Sequence, residues 1–452
     1  MVRWLVACAL IKAMDLARKP ISKLGSLIFL RDVVVCRKGL FKRVMPLLPM
    51  WRHMNCVDIF SGCGGLTLGL HKAGIQGLFA IEKSADAFAT LKFNLIDRLE
   101  HFQWPKWLPQ KAHDINKVLD EHQKELKALR GHVDLLAGGP PCQGFSLAGR
   151  RRNSDKRNQL VHSYIKMVDA VQPKCLLLEN VKGFTIPFKV NGEEKLYSSL
   201  VVDELRKRDY DVAFKLLDFS RYGVPQKRTR FILIGVSKAL QNRGVRADQF
   251  FDLLERKRSR FLQGKHLPEK GVSVRSAISD LRQKHGEHGS TEFKRFKFGE
   301  YGPATTPYQQ LMREDVERGA QPDSHRFAHH TKDIRERFQA AIDEKLSPSK
   351  YREKFRLKKS GTKRLVPDSP TPTLTTLPDD YIHYCEPRIL TVREYARIQS
   401  FPDDYEIKGR YTTGGKRRVL QVPRYSQVGN AIPPLFGELA GWILMEMCNG
   451  RR

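Results

Sequence analysis

The stretch DIFSGCGGLTLGL, residues 58–70, decides the fold of this chain. It begins within the apolar run CVDIF, which is typical of a buried strand, then turns through glycines and continues into a helical pattern. Glycines let a backbone approach a ligand closely, and the first N–H groups of the following helix can bind one. Many such turns bind nothing, and the spacing is not the dinucleotide fingerprint G-x-G-x-x-G. The stretch therefore predicts a strand, a turn and a helix, but by itself it does not predict a ligand.

Short apolar runs and longer amphipathic segments alternate from residue 55 to residue 236. The runs are CVDIF, GLFAI, VDLLAG, CLLLEN and RFILIGV, and the segments are 84–97, 114–130, 157–171 and 196–208. This alternation predicts an α/β fold with a doubly wound, mostly parallel sheet and helices on both faces. Ligands of such sheets bind at the carboxyl ends of the strands, so we expect functional residues on the strand-to-helix loops.

The regions outside 54–236 differ in composition. Residues 1–53 hold eleven Lys/Arg and two Asp/Glu. They are either an extension that precedes a natural start at Met54 or Met50, or a basic arm that binds nucleic acid. Residues 237–363 hold 29 basic and 17 acidic residues, with a helical pattern at 333–345, and are interpreted as a second, smaller domain or a large insertion. Residues 364–452 return to apolar segments and end in an amphipathic helix at 435–448.

Charge and cysteine usage narrow the class of protein. The 452 residues carry a formal net charge of +31, which favours a polyanionic partner such as nucleic acid over a generally basic protein. None of the eight cysteines forms a C-x-x-C pair, so neither a zinc ribbon nor a bound metal is expected. Scattered cysteines in a chain of this length predict a reduced, intracellular protein. No apolar run approaches the roughly 20 residues of a membrane span.

Two acidic residues follow the glycine turn at strand ends. Glu82 ends the strand GLFAIE about 20 residues on, where an acid in nucleotide-binding folds accepts hydrogen bonds from ribose hydroxyls. Asp114 in HDIN is either a helix N-cap or a contact to an adenine ring edge. A ligand that contains a nucleoside is therefore predicted.

The segment GGPPCQGFS, residues 138–146, stiffens the backbone around one thiol. Pro140 and Pro141 fix their own φ angles and keep the preceding residues extended. Cys142 follows a strand and lies near a helix start, where a thiolate is stabilised. An isolated cysteine is more often a buried structural residue, but this setting favours a nucleophile.

Two further segments bring charged side chains to the same edge. LLLENV, 176–181, ends a leucine strand with Glu179, whose pKa an apolar wall would raise. In QKRTR, 226–230, Arg228 and Arg230 are two residues apart and point the same way on an extended chain. They predict a clamp for phosphate or a carbonyl oxygen, with Gln226 on the same face; the alternative is a solvated basic edge.

Taken together, the motifs resemble those of the DNA cytosine-5 methyltransferase family across nearly all of residues 54–448. The six matching pieces are FSGCGG with Glu82, PPCQGFS, ENV at 179–181, QKRTR at 226–230, REYARIQSFPD at 393–403 and QVGNAIPP at 427–434. They occur in the family's order and at its approximate distances. The resemblance implies a Rossmann-like, S-adenosylmethionine-dependent fold whose target-recognition domain is 237–363.

The resemblance also implies roles for individual residues. Cys142 adds to C6 of a flipped cytosine, Glu179 contacts N3 and the exocyclic amine, Arg230 holds the O2 side, and Arg228 positions phosphate or the cysteine loop. Contacts to DNA are expected from Gln143, Ser146 and Gln226. Cys63, within the glycine loop, is expected to be a small packing residue. The expected S-adenosylmethionine site consists of Phe60, Ser61, Gly62, Gly64, Gly65, Leu66, Glu82, Asp114, Ile115, Pro141, Asn430 and Ile432.

The expected enzyme is a monomeric, prokaryotic, cytoplasmic methyltransferase that acts on double-stranded DNA at the nucleoid, in many cases paired with a restriction endonuclease. The alternatives are an RNA cytosine-5 methyltransferase of the same fold and a non-catalytic DNA-binding relative. A nicotinamide oxidoreductase, suggested by the glycine loop alone, is opposed by PPCQGFS.

Overall fold

A six-stranded sheet lies at the centre of the structure, a computed structural model that describes residues 54–141, 159–190, 193–289, 294–357, 362–412 and 421–449. The strands are β1 (Asn55–Ile59), β2 (Gln76–Ile81), β3 (Leu135–Gly138), β4 (Cys175–Val181), β5 (Asp211–Asp218) and β6 (Thr229–Val236).

The sheet has the order β2-β1-β3-β4-β6-β5. β1 pairs in parallel with β2 and β3, and β3 pairs in parallel with β4. β6 is inserted antiparallel between β4 and β5. Five strands therefore run in one direction, and the predicted α/β fold with a mostly parallel sheet is confirmed.

Helices cover both faces of this sheet, as predicted. In the first part of the chain they are α1 (Gly65–Lys72), α2 (Ala85–Leu91), α3 (Ile115–Glu121), α4 (Gln123–Ala128), α5 (Gln159–Val171) and α6 (Tyr197–Arg206). A π-helical segment, Lys92–Arg98, extends α2. The amphipathic segment 114–130 contains two helices, because His122 leaves the helical conformation between them; its ring packs on Trp107.

Side-chain alternation along the strands builds two hydrophobic cores. Leu135 and Ala137 of β3 face the core that α1 helps to form, whereas Leu136 faces the core on the other side. Successive side chains of a strand point to opposite faces, so a strand covered on both sides is apolar throughout. This is why the runs in the sequence are continuous rather than alternating.

The remaining helices occupy 237–363 and the C-terminal part. They are α7 (Lys238–Gln241), α8 (Gln249–Gly264), α9 (Val274–Ile278), α10 (Pro307–Met312), α11 (Lys332–Asp343), α12 (Pro348–Lys354), α13 (Val392–Ile398), α14 (Arg424–Asn430) and α15 (Pro434–Asn449). Short paired strands are Gln226–Lys227 with Thr371–Pro372, Glu287–Gly289 with Lys297–Gly299, Lys363–Arg364 with Tyr381–Ile382, and Phe188–Val190 with Glu193–Lys195.

The C-terminal helix α15 packs closely along α1. A Cβ atom added to Gly69 of α1 would lie 2.5 Å from the carbonyl oxygen of Pro434 and 2.6 Å from the Cα of Gly437. The two backbones therefore meet without intervening side chains, which ties the chain end to the helix after the glycine turn.

Buried ion pairs join 237–363 to the segment REYARIQSFPD. Arg397 of α13 is fully buried and donates to Asp403 at 2.5 Å and to Asp280 at 3.0 Å. Its partners satisfy the charge that burial would otherwise penalise. Asp280, which follows α9, is thus held against the C-terminal part. Among the described residues no helix combines the length and apolarity that a bilayer span requires.

Candidate active site

The carboxyl ends of β1, β2, β3 and β4 lie at one edge of the sheet. β6 is antiparallel, so its amino end, with Arg230, reaches the same edge opposite Val181. The glycine loop after β1, Glu82 after β2, the loop after β3 and Glu179 near the end of β4 therefore converge, as predicted for strand-to-helix loops.

The glycine loop turns through three left-handed residues. Phe60 has φ 59°, Gly62 φ 57° and Gly64 φ 87°. A Cβ atom on Gly62 would meet no atom within 4 Å, so the loop faces open space there. Gly64 and Gly65, unlike Gly62, lie against other parts of the protein. A Cβ atom on Gly64 would lie 2.7 Å from the Tyr405 hydroxyl, and one on Gly65 would collide with the Ile432 carbonyl oxygen. Gly62 thus leaves room for a ligand, whereas Gly64 and Gly65 allow close packing.

Glu82 braces the glycine loop from the end of β2. Its Oε2 accepts a hydrogen bond from the Gly62 N–H at 2.9 Å, and its Oε1 accepts one from the Ser84 N–H at 2.6 Å. Burial raises the pKa of Glu82, and these backbone N–H donors oppose that rise. Each carboxylate oxygen keeps further acceptor capacity, which ribose hydroxyls could use.

Asp114 is the N-cap of α3, the first of the two expectations for this residue. Its Oδ1 accepts from the Asn116 N–H at 3.0 Å, and its Oδ2 lies 2.7 Å from Lys83 Nζ. Burial acts to raise the pKa of Asp114, but the hydrogen bonds from Lys83 and the Asn116 N–H outweigh it and the pKa is lowered. The next residue, Ile115, is buried.

These residues fit S-adenosylmethionine. Glu82 offers a carboxylate at a strand end, the open space at Gly62 admits a ligand close to the backbone, and the partly buried Phe60 supplies apolar surface. Of the other expected cofactor residues, Ser61 and Leu66 are buried, and Pro141 and Asn430 are exposed. Ile432 is 9% exposed and its carbonyl oxygen lies against Gly65.

Glu179 and Arg230 form an ion pair at the centre of this edge. Arg230 Nε lies 2.8 Å from Glu179 Oε1, and both side chains are about nine-tenths buried. The pairing of Val181 with Arg230 and of Glu179 with Ile232 makes the two side chains diagonal neighbours on one face of the sheet. Burial raises the pKa of Glu179, and the charges of Arg230 and Arg228 only partly offset this rise. The carboxyl group therefore keeps its proton to a higher pH than an exposed glutamate.

The loop after β3 passes directly over Glu179. A Cβ atom on Gly139 would lie 2.9 Å from Glu179 Oε2, so only glycine allows this approach. Asn180 Nδ2 donates to the Pro140 carbonyl oxygen at 3.2 Å and anchors the loop to β4. No role is predicted for Asn180 from sequence, although it is the central residue of the ENV motif. Cys142, Gln143 and Ser146 lie outside the described residues.

Arg228 and Gln226 correct one expectation. Arg228 is 1% exposed, and its Nη2 donates to the carbonyl oxygens of Gly429 at 3.1 Å and Ala431 at 3.2 Å. Gln226 is fully buried and donates to Gln399 at 2.9 Å. The predicted clamp of two guanidinium groups is therefore not formed, and Gln226 faces protein rather than DNA. Gln226–Lys227 pairs with Thr371–Pro372, and Gln226 and Arg228 are buried while Lys227 is exposed, which local sequence could not reveal.

Two C-terminal residues that the sequence analysis did not single out hold the glycine loop. Tyr405 donates its hydroxyl to the Cys63 carbonyl oxygen at 2.5 Å. The Gln427 carbonyl oxygen lies 3.5 Å from Cys63 Sγ, and the Gln427 side chain accepts from Thr90 at 2.7 Å. Cys63 is 1% exposed, which confirms that it is a packing residue.

A buried carboxyl group lies beneath the same loop. Asp58 in β1 is 1% exposed and accepts a hydrogen bond from Thr67 of α1 at 2.5 Å. Burial raises the pKa of Asp58 to about 7, with a smaller contribution from Glu82 and an opposing one from Thr67. No described group of three or more His, Cys, Asp or Glu side chains could hold a metal ion.

Comparisons with known proteins identify the family of the chain. The sequence model of the family "C-5 cytosine-specific DNA methylase" matches residues 54–441. Type II methyltransferase M.DdeI of Desulfomicrobium norvegicum is 31% identical over 402 residues, covering 85% of this chain and 87% of its own. M.XorII of Xanthomonas oryzae is 29% identical over 422 residues, with 86% and 84% covered. A crystal structure of a prophage-encoded DNA modification methyltransferase from E. coli matches with TM-score 0.62 at 25% identity, covering 88% and 100%.

Proposed function

The chain belongs to the family of C-5 cytosine-specific DNA methylases, and we propose that it methylates cytosine at C5 within one specific double-stranded DNA sequence through a covalent adduct with Cys142. One observation supports this mechanism above the others: the buried Glu179–Arg230 pair lies beside Gly139, three residues before Cys142. An acid and a cation thus lie beside the backbone that leads to the proposed nucleophile.

S-adenosylmethionine, when bound, supplies an electrophilic methyl group. Glu82 and the glycine loop would hold its nucleoside, because Glu82 already fixes the Gly62 backbone from below. Ile115, Pro141, Asn430 and Ile432 belong to the same proposed site. For Leu66 the proposed contact is its backbone, since its side chain is buried in the core.

The proposed reaction begins with the cytosine flipped out of the helix, because its ring atoms are inaccessible within a stacked duplex. The Cys142 thiolate forms a bond to C6 while N3 receives a proton, and Glu179, with its raised pKa, is suited to donate that proton. Arg230 would hold the O2 side of the ring. C5 would then form its bond to the methyl group as the S–CH3 bond of the sulfonium breaks and the thioether leaves. C5 loses its proton to a base, the Cys142 thiolate leaves as the C5–C6 double bond reforms, and N3 returns its proton to Glu179.

The biological role that we propose is protection of host DNA from a cognate restriction endonuclease. The relatives M.DdeI and M.XorII are type II methyltransferases, the class that restriction-modification systems use. Recognition of the DNA sequence is assigned to 237–363, and contacts to the flipped strand to Gln143 and Ser146. Action as a monomer at the nucleoid belongs to the same proposal.

Bisulfite sequencing of DNA from cells that express the protein tests the proposal. We expect methylated cytosines confined to one short sequence, and none in cells that express Cys142→Ser at the same level. Binding of purified Cys142→Ser to the same duplex is the control for folding and should remain near wild type. Methylation by the serine variant at the wild-type rate would exclude Cys142 as the nucleophile.

A further inference from the structure

A groove in 237–363 is separate from the site described above. It lies between the paired strands Glu287–Gly289 and Lys297–Gly299 on one side and α11 on the other. Two cavities, of about 200 and 360 Å³, share His330, Arg335 and Pro387 and together form this groove.

Three cations in the groove lack acidic partners. Arg295, Lys297 and Arg335 are exposed, and within the described part of the chain no carboxylate lies within 4 Å of their charged nitrogen atoms. Of the acidic residues that line the groove, Glu287 accepts from the Gln283 amide at 2.7 Å and Glu336 is 3.9 Å from Lys332. The positive charge of the groove is therefore not neutralised within the described protein.

Two neighbouring arginines, by contrast, have acidic partners. Arg337, two residues after Arg335 on α11, pairs with Asp333 at 2.5 Å. Arg388, at the floor of the groove, is buried and pairs with Glu394 at 2.7 Å. Arg295, Lys297 and Arg335 therefore carry charge that no described carboxylate neutralises, whereas Arg337 and Arg388 do not.

Aromatic side chains make the floor and rim of the groove rigid. Phe327 is 6% exposed and packs beneath Arg388, whose Cζ is 4.9 Å from the ring centre. Phe296 stacks on Arg326, which also stacks on Tyr411 at 3.8 Å. His330 accepts from the Ile389 N–H at 3.3 Å. The cations thus project from a surface that is tied to the C-terminal part of the chain.

We propose that this groove binds the phosphate backbone of the DNA substrate, with Arg295, Lys297 and Arg335 as the phosphate ligands. The inference rests on the proposed function, which supplies the polyanion, and it adds which face of 237–363 meets the DNA. Phosphate contacts fix the register of a protein on a duplex and release counterions, so their loss changes the salt dependence of binding.

The test measures binding to a fluorescent duplex that contains the sequence methylated in cells, over 50 to 200 mM salt. The slope of log K against log salt concentration is negative, and each lost phosphate contact reduces its magnitude by about 0.9. We expect the double variant Lys297→Ala/Arg335→Ala to reduce the magnitude of the slope by about 1.8 and to keep the wild-type affinity for S-adenosylmethionine.

Arg337→Ala is the matched control, because it removes an equal charge from the same helix but one that Asp333 already neutralises. It should leave the slope unchanged. An equal reduction in the magnitude of the slope for Arg337→Ala would show a general effect of charge and would contradict the proposal that the groove binds phosphate. If the enzyme methylates DNA but the double variant keeps the wild-type slope and affinity, the groove does not bind the phosphate backbone. That result would not contradict the proposed function. A wild-type protein that neither methylates nor binds duplex DNA would overturn both.

Discussion

At the scale of the residue, the site depends on carboxyl groups that the fold withdraws from water. Glu179 is buried beside one arginine and near another, and its pKa is raised despite their charges. Desolvation therefore outweighs attraction here, because burial penalises the charged form more than the neighbouring cations stabilise it. Such a group keeps its proton to a higher pH than an exposed glutamate, which suits it to donate that proton.

Replacement of Arg230 tests this balance. Arg230 lowers the pKa of Glu179, so Arg230→Ala should raise that pKa further. If protonated Glu179 is the active form, the alkaline limb of the kcat/KM profile moves to higher pH, whereas Arg230→Lys, which keeps the charge, moves it less. Methyl-transfer rates between pH 6 and pH 10 provide the measurement. A limb that stays in place in both variants would show that Glu179 is not the group that titrates.

Asp58 gives a second pH dependence, this one in stability. Its pKa is about 7 in the folded protein and near the ordinary aspartate value in the unfolded chain. The folded state therefore holds a proton that the unfolded state has lost, so stability falls as the pH rises towards 7. Asp58→Asn removes the carboxyl group that titrates. Between pH 5.5 and pH 8 the wild type should lose about 2 kcal/mol of unfolding free energy more than the variant. Urea unfolding at both pH values measures the difference, and parallel curves would contradict the assignment.

At the scale of the element, the contact between α1 and α15 connects the chain end to the glycine loop. The three atoms nearest to a Cβ added at Gly69 of α1 all belong to the backbone of α15, which cannot rotate away. Gly65 meets the Ile432 carbonyl oxygen in the same manner. The segment QVGNAIPP is therefore a brace for the loop as well as part of the proposed cofactor site. Arg228 strengthens this brace through its bonds to Gly429 and Ala431.

Gly69→Ala should therefore destabilise the protein by about 1–3 kcal/mol, because the helices must separate to admit the methyl group. S-adenosylmethionine should bind more weakly as well, since α1 carries the loop. Gly264→Ala in α8 is the matched control: its Cβ would meet nothing within 4 Å, so its stability should be unchanged or slightly higher. Thermal unfolding and calorimetric titration measure both effects. Equal stability of the two variants would contradict the packing argument.

At the scale of the whole molecule, the proposed groove accounts for only a small part of the positive charge. The formal net charge is +31, whereas the proposed phosphate ligands are Arg295, Lys297 and Arg335. Long-range attraction to DNA follows from the total charge, whereas register depends on the few cations held in a fixed shape. The family match begins at residue 54, which leaves the basic residues 1–53 outside it.

A chain of residues 54–452 should methylate DNA with the wild-type kcat, because the matched region includes every proposed site residue. Initial rates at saturating DNA test this expectation. The affinity for DNA distinguishes the two interpretations of residues 1–53. Unchanged affinity fits an upstream extension, and an affinity that falls with a reduced salt slope fits a basic arm. Loss of kcat in the folded chain would contradict the expectation itself.

Local patterns were sufficient to predict the sheet, the helices on both its faces, the glycine turn and the convergence of Glu82 and Glu179 at one edge. Apolar periodicity depends on neighbours in the chain, so the sequence alone carries it. Arg230 reaches the same edge only because β6 runs antiparallel to β4, which local patterns do not predict. The burial of Arg228 and Gln226, the raised pKa of Asp58, and the anchoring of the glycine loop by Tyr405 and Gln427 were decided only by tertiary structure. The burial of Arg228 and the anchoring of the loop depend on partners far along the chain, as Tyr405 with Cys63 and Arg228 with Gly429 illustrate. The pKa of Asp58 depends on the burial of β1. Charge alone likewise could not separate Arg335 from Arg337, because pairing distinguishes them only once α11 has formed and its side chains lie at the groove.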